Sequence, residues 1–138
     1  MSILDSIFPY SATTEGITVR VQPSYLEEHS RPGDGLWVWR YHVRIENGGD
    51  VPVRLVDRRW IIIDGRGDRE DVEGEGVVGQ QPLIAPGGAH DYVSGCPLPT
   101  PSGTMQGNFG MVAADGRRFR VAIPLFDLVS PDSRRAGH

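Results

Sequence analysis

Along residues 36–47, LWVWRYHVRIEN, apolar and polar positions alternate without a break. Trp37, Trp39, Tyr41, Val43 and Ile45 share one parity, and Val38, Arg40, His42, Arg44 and Glu46 the other. Successive side chains of an extended chain point to opposite faces, so this period of two predicts a strand with one face buried and one wet. The turn residues Asn47-Gly48-Gly49-Asp50 come next, and VPVRLVDRRWIIID at 51–64 predicts a second strand. Its phase changes partway: Val51, Val53 and Leu55 hold one parity, Trp60 and Ile62 the other. One extra residue flips which side faces inward, so a bulge is expected near Asp57 to Arg59, unless Ile61 to Ile63 are covered on both faces.

Upstream, Ile17, Val19 and Val21 alternate with Thr18, Arg20 and Gln22, a strand that runs on toward Tyr25. Downstream, short strands are expected at 69–73, 90–94 and 105–114. Asp115-Gly116 is a two-residue hairpin signal. It leads into RRFRVAIPLF, where Phe119, Val121 and Ile123 face in while Arg118 and Arg120 face out. About seven strands, frequent turns and no helical period predict an all-β antiparallel sandwich of immunoglobulin or fibronectin type III kind. The sandwich is expected to span residues 16–128. Residues 1–15 and 129–138 lack periodicity and read as flexible ends.

Composition narrows the functional classes. A chain of 138 residues is one domain, and at 15.2 kDa it buries a real core without staples. The single cysteine, Cys96, forms no internal disulfide, which fits a reducing compartment. The start MSILDSIFPYSATTEG lacks a basic region, and Asp5 interrupts its apolar run, so it does not read as a signal peptide. No apolar segment approaches the roughly 20 residues of a membrane helix. A cytoplasmic protein with no membrane insertion is the expectation. A net charge of −4 argues against nucleic-acid partners, which demand many neutralised phosphates. All fourteen basic residues are arginine, which removes Lys-dependent chemistry such as a Schiff base or a phosphate-loop lysine.

The segment GEGVVGQQP, 74–82, contains GxGxxG in Gly74, Gly76 and Gly79. In a dinucleotide-binding loop this pattern follows a strand and opens a helix, whose N-terminus holds the pyrophosphate. Here Pro82 and Pro86 follow within a few residues and would break that helix. Two readings remain for the glycines. They permit positive φ and close backbone packing, or their successive amides form an anion-binding nest.

Four separated runs, RRWIIIDGRG, VEGEGVVGQQPLIAPG, YVSGCPLPTPSGTMQGNFGM and DGRRFRVAIPLF, together resemble the bacterial ApaG family in order and spacing. The similarity covers residues 17–128. The matching signature comprises Trp60, Gly74, Gly76, Val77, Val78, Gly79, Gln81, Pro82, Pro86 and Gly87, then Tyr92, Ser94, Thr100, Pro101, Gly103, Met105, Gly107 and Met111. Two positions depart from it: Arg59 precedes Trp60 where the family has an aromatic or histidine, and Phe109 stands where tyrosine is common. The resemblance implies a seven-stranded fibronectin type III-like sandwich. It also implies an association with cobalt resistance and magnesium efflux, and related domains inside F-box proteins that look like interaction modules.

Weighed residue by residue, the sequence points away from catalysis, and no catalytic residue or cofactor is expected. His29, His42, His90 and His138 share no ligand spacing. Ser94 lacks a nucleophile-elbow glycine, and Cys96 reads as a small buried thiol. His42, on the outward parity, is expected to be solvent-exposed. Of the acids at 68–75, Glu73 and Glu75 are the first candidates for a magnesium site, against the plainer reading of a charged edge that discourages aggregation. The glycine- and proline-rich stretches 74–88 and 95–107 are expected to meet at one end of the sandwich. Their Val77, Val78, Leu83, Ile84, Leu98 and Met105 then form either a satellite core or an apolar patch for a partner protein. Exposed sheet edges offer strand addition or a homodimer. The preferred expectation is a non-catalytic protein-interaction or regulatory domain. The alternative is a small-ligand protein taking pyrophosphate, a nucleotide or a divalent cation at the 74–79 loop.

Overall fold

The computed structural model describes residues 2–136. A short helix α1 (Ile3–Ile7) precedes nine strands: β1 (Tyr10–Thr14), β2 (Ile17–Tyr25), β3 (Trp37–Asn47), β4 (Val53–Asp64), β5 (Arg69–Glu75), β6 (Leu83–Ile84), β7 (Ala89–Leu98), β8 (Ser102–Ala113) and β9 (Arg118–Val129). A helical turn, α2 (Pro131–Ala136), follows. The strands form two antiparallel sheets packed face to face. The first has the order β1-β2-β3-β7; the second has the order β5-β4-β8-β9, with β6 also paired to β4. The chain crosses between sheets after β3, which sets Tyr41 of β3 against Trp60 of β4 across the core.

The change of phase in β4 is a bulge. The register to β8 shifts between Leu55 and Asp57, making Val56 the extra residue, one position before the expected stretch. It turns both Leu55 and Trp60 inward, although they differ in parity. A second irregularity, with no counterpart in the sequence reading, places Pro124 and Leu125 opposite Gln106. Proline has no N–H to give a ladder, and bulges accommodate it.

The expected flexible N-terminal segment is corrected by the structure. Tyr10–Thr14 pairs along β2 and closes the flank of the sandwich against β9. There the Ala122 amide donates to Thr14 Oγ1 at 3.1 Å and the Asp127 amide to the Tyr10 hydroxyl at 3.4 Å. Ahead of it, α1 is tied down by the Asp5–Arg20 ion pair (2.8 Å) and by Phe8, buried edge-on against the His42 ring. The C-terminal segment is anchored too. Trp39 Nε1 donates to the Val129 carbonyl, and Trp37 Nε1 to Asp132, both at 3.0 Å. Residues 137 and 138 of that segment lie outside the described residues.

The core runs the length of both inner faces. Phe126 stands at its centre, with its ring centroid 6.0 Å from those of Tyr10, Tyr41 and Trp60. Truncating a fully buried phenylalanine forfeits its transfer energy and leaves a cavity. Phe126→Ala is therefore expected to cost about 3–5 kcal/mol, a large share of the roughly 5–15 kcal/mol that holds a domain folded. Urea denaturation of wild type and variant checks this through the shift in midpoint.

Candidate functional site

The sandwich is closed on one flank only. Where β1 meets β9 the sheets are stitched together; on the other flank, β5 and β7 stand apart. Between them lies a cleft of about 440 Å³, within the range of roughly 300–1,000 Å³ of ligand pockets. Each wall follows from strand alternation. Tyr92, Ser94 and Cys96 face in from β7, and Glu70 and Val72 from β5. The floor is Tyr41, Trp60, Ile62 and Met105, with the Tyr41 and Trp60 rings edge to face at 5.3 Å.

The glycine segment forms one end of this cleft. Val77 and Gln80 exchange both backbone hydrogen bonds, at 2.8 and 3.0 Å, while Val78 (φ 47°) and Gly79 (φ 77°) occupy the left-handed region between them. That is a type I′ turn, which requires positive φ at both central residues. The Gly76 amide donates to the Val56 carbonyl, so three of the segment's amides are committed to internal bonds. Arg58 Nη1 reaches over Gly74 and donates to the carbonyls of Glu75 and Gly76, each at 2.9 Å. Glycine at 74 gives that guanidinium room, since a Cβ there would lie 2.8 Å from it and oblige the arginine to shift. The Gln81 side chain donates to the carbonyl of the bulge residue Val56 (2.8 Å), and the Leu55 amide to that of Pro82 (3.0 Å). The motif is a pinned turn between β5 and β6.

Burial sets the ionisation of three groups in the cleft. The Tyr92 hydroxyl is buried with no hydrogen-bond partner among the described residues, and desolvation pushes its pKa well above the ordinary phenol value. Tyr41 is raised for the same reason, opposed by the neighbouring Ser94 hydroxyl. Burial pushes the Cys96 thiol up to about 11, so at neutral pH it is not a thiolate nucleophile.

The sequence-selected residues divide into three groups. Val77, Val78, Tyr92, Ser94 and Met105 line the cleft, while Gly74, Gly76, Gly79, Gln81 and Pro82 shape the turn beside it. Thr100, Pro101 and Gly103 lie elsewhere, at the far end of β4. Thr100 Oγ1 there accepts from the Gly65 amide (2.8 Å), and Ser130 Oγ donates to the Pro101 carbonyl (2.7 Å). Gly103 and Gly107 allow close contact of β8 with the β4 backbone. The stretches 74–88 and 95–107 thus do not meet as loops at one end, because Gly95 and Gly107 both lie within strands. Of their apolar residues, Val77, Ile84, Leu98 and Met105 are buried, whereas Val78 and Leu83 are 62% and 59% exposed. Glu73 and Glu75 project from the outer face of β5, Glu73 lying 3.7 Å from Arg59. Among the described residues no three His, Cys, Asp or Glu side chains converge. His42 is half-buried rather than exposed, and it bonds Asp91 at 2.8 Å. The outward Arg20, Arg44 and Arg120 pair with acids. Tyr41, Arg58, Ile62 and Val72 were not singled out from sequence as site residues. Their membership depends on which strand lies beside which.

Comparison with known proteins places this arrangement in company. The family model described as the ApaG domain matches residues 27–113, a span that contains every residue lining the cleft. The protein named "Protein ApaG" from Methylobacterium sp. (strain 4-46) is 49% identical over 129 residues, covering 94% of this chain and 99% of the relative. That of Rhodospirillum centenum is 51% identical over 125 residues, covering 91% and 96%. A crystal structure from Bordetella pertussis aligns with a TM-score of 0.81 at 49% identity, covering 83% of this chain and 94% of that one.

Two outcomes follow from this geometry. A β-branched residue at positive φ stores roughly 1–3 kcal/mol of strain, whereas Asn-Gly is the preferred type I′ pair. Val78→Asn is therefore expected to stabilise the fold by about 1 kcal/mol and to raise the melting temperature by a few degrees, as read by calorimetry. The second concerns Cys96. Folding favours its neutral thiol, so that contribution to stability is intact below about pH 9 and is lost as the pH rises toward 11. Iodoacetamide alkylation of the folded protein should accordingly stay slow at pH 8 and accelerate only in that alkaline window.

Proposed function

The chain belongs to the ApaG family, and we propose that it works as a non-catalytic module binding a segment of a partner protein in the cleft between β5 and β7. One observation carries the reading: the Tyr92 hydroxyl is buried in the wall of an aromatic-floored cleft without a hydrogen-bond partner among the described residues. An unpaired buried hydroxyl costs about 1–3 kcal/mol, and a bound group that accepts or donates a hydrogen bond there relieves the cost. The exposed Val78 beside the cleft adds apolar surface to the same face. Three ionisable groups in the cleft support binding over chemistry, since burial holds Tyr41, Tyr92 and Cys96 in their neutral forms. A regulatory role in cobalt resistance or magnesium efflux, exerted through such contacts in the cytoplasm, is the setting the proposal adopts.

A second reading is favoured by the cleft's size alone: about 440 Å³ also suits a small organic ligand. For pyrophosphate, the turn leaves few amides, because those of Gly76, Val77 and Gln80 are already bonded.

The test is affinity capture with the wild type and with Val72→Arg, which sets a charge in the cleft wall from a half-buried edge position. Equal melting temperatures check that both fold. The variant is expected to lose its specific partner about tenfold or more, since a bulky charge in the wall would have to be desolvated on binding. Identical partner recovery by both proteins would overturn the proposal.

A further inference from the structure

Backbone geometry separates the two strands that flank the cleft. The Asn47 amide donates to the Gly88 carbonyl, which sets the ladder phase so that Asp91, Val93, Gly95 and Pro97 turn their backbones off the free edge of β7. Pro97 has no N–H, and it blunts that edge. On β5, the Gly76 amide bonds Val56 and the Asp64 amide bonds Asp68. The even residues 70, 72 and 74 therefore pair with β4, while Asp71 and Glu73 turn both N–H and C=O to the open side. Glu75 presents its N–H only, since Arg58 takes its carbonyl. No proline interrupts this edge.

Charge is distributed to match. Side chains on the outer face of β5 are Arg69, Asp71, Glu73 and Glu75, and Arg69 is bonded to Asp71 at 2.7 Å. Those on the inner face are Glu70, Val72 and Gly74, beside the aromatic floor and Tyr92. A second copy of β5 laid here antiparallel about Val72 would set Asp71 opposite Glu73, and like charges destabilise a cross-strand pair. A strand that alternates basic and apolar residues would meet acids on one face and the cleft on the other.

We propose that β5 accepts an extended segment of a partner protein as an added strand, with lysine or arginine over Asp71, Glu73 and Glu75 and apolar side chains in the cleft beside Tyr92. This rests on the reading of the cleft as a protein-binding site and specifies its occupant. Main-chain hydrogen bonds supply affinity in such an addition, and the alternating side chains supply selectivity.

The probe is a short synthetic peptide alternating lysine and valine, titrated into the isotope-labelled full chain with amide shifts and hydrogen exchange recorded. Saturable shifts along β5, with slowed exchange at Asp71 and Glu73, are expected. N-methylation of alternate peptide amides should abolish binding, and a glutamate–valine peptide should not bind. The exposed Glu73→Lys/Glu75→Lys variant keeps its core and should bind the lysine peptide about tenfold more weakly. Shifts at Trp60 and Tyr92 with unchanged exchange on β5, and equal binding by the N-methylated peptide, would overturn strand addition while leaving the cleft reading intact. Equal binding of the acidic peptide would overturn the charge assignment, and slowed β5 exchange that grows with protein concentration alone would name a second copy instead. A flat titration with every peptide would also overturn the proposal. Failure of the cleft reading itself shows separately, as partner capture indifferent to Val72→Arg.

Discussion

Two sheets packed face to face leave two flanks, and the asymmetry between them governs this molecule. On one flank β1 lies against β9, and backbone amides of β9 reach side chains of β1. On the other, β5 and β7 diverge over Tyr41 and Trp60. Buried apolar surface is the main source of folding stability. The aromatic cluster around Phe126 is dense enough to hold the layers together while one side stays open. The opening is therefore a consequence of strand order rather than of loose packing.

The glycine motif is shaped by the same flank. In dinucleotide-binding folds the pattern frees backbone amides for phosphate. Here Arg58, Gln81 and the bulge at Val56 draw the segment onto the edge of β4. Gly74 makes space for a guanidinium, Gly79 completes a type I′ turn, and Gly76 adopts positive φ so that the chain can leave β5. The same three letters thus serve a mechanical purpose, which an isolated motif does not distinguish.

Long elements with one buried face were legible in the sequence. The alternation from Trp37 to Ile45 located β3, and the parity change between Leu55 and Trp60 required a bulge within a few residues of where it lies. Parity alone brackets an insertion without assigning it, so the expected stretch ended one residue away from Val56. β1 is not legible because YSATT offers only Tyr10 and Ala12 as apolar positions, too short an alternation to read; its order comes from pairing with β2 and docking on β9. The cleft was only partly visible. Tyr92, Val78 and Met105 stood out by resemblance, whereas Val72, Ile62 and Arg58 join them only through sheet order, which no local pattern encodes. Val78 at positive φ runs against propensity, since a β-branched residue argues for an extended conformation there.

The stitched flank also sets a timetable for synthesis. Thr14 and Ala122 are 108 residues apart in sequence, and Tyr10 and Asp127 are 117 apart. Contacts this distant form only after the intervening chain has collapsed. As the polypeptide leaves the ribosome, its first strand can pair with the second at once but must wait for the last to dock. Until β9 emerges, the apolar inner face of the first sheet has an incomplete cover, and the nascent chain passes through a window in which chaperones would find their substrate.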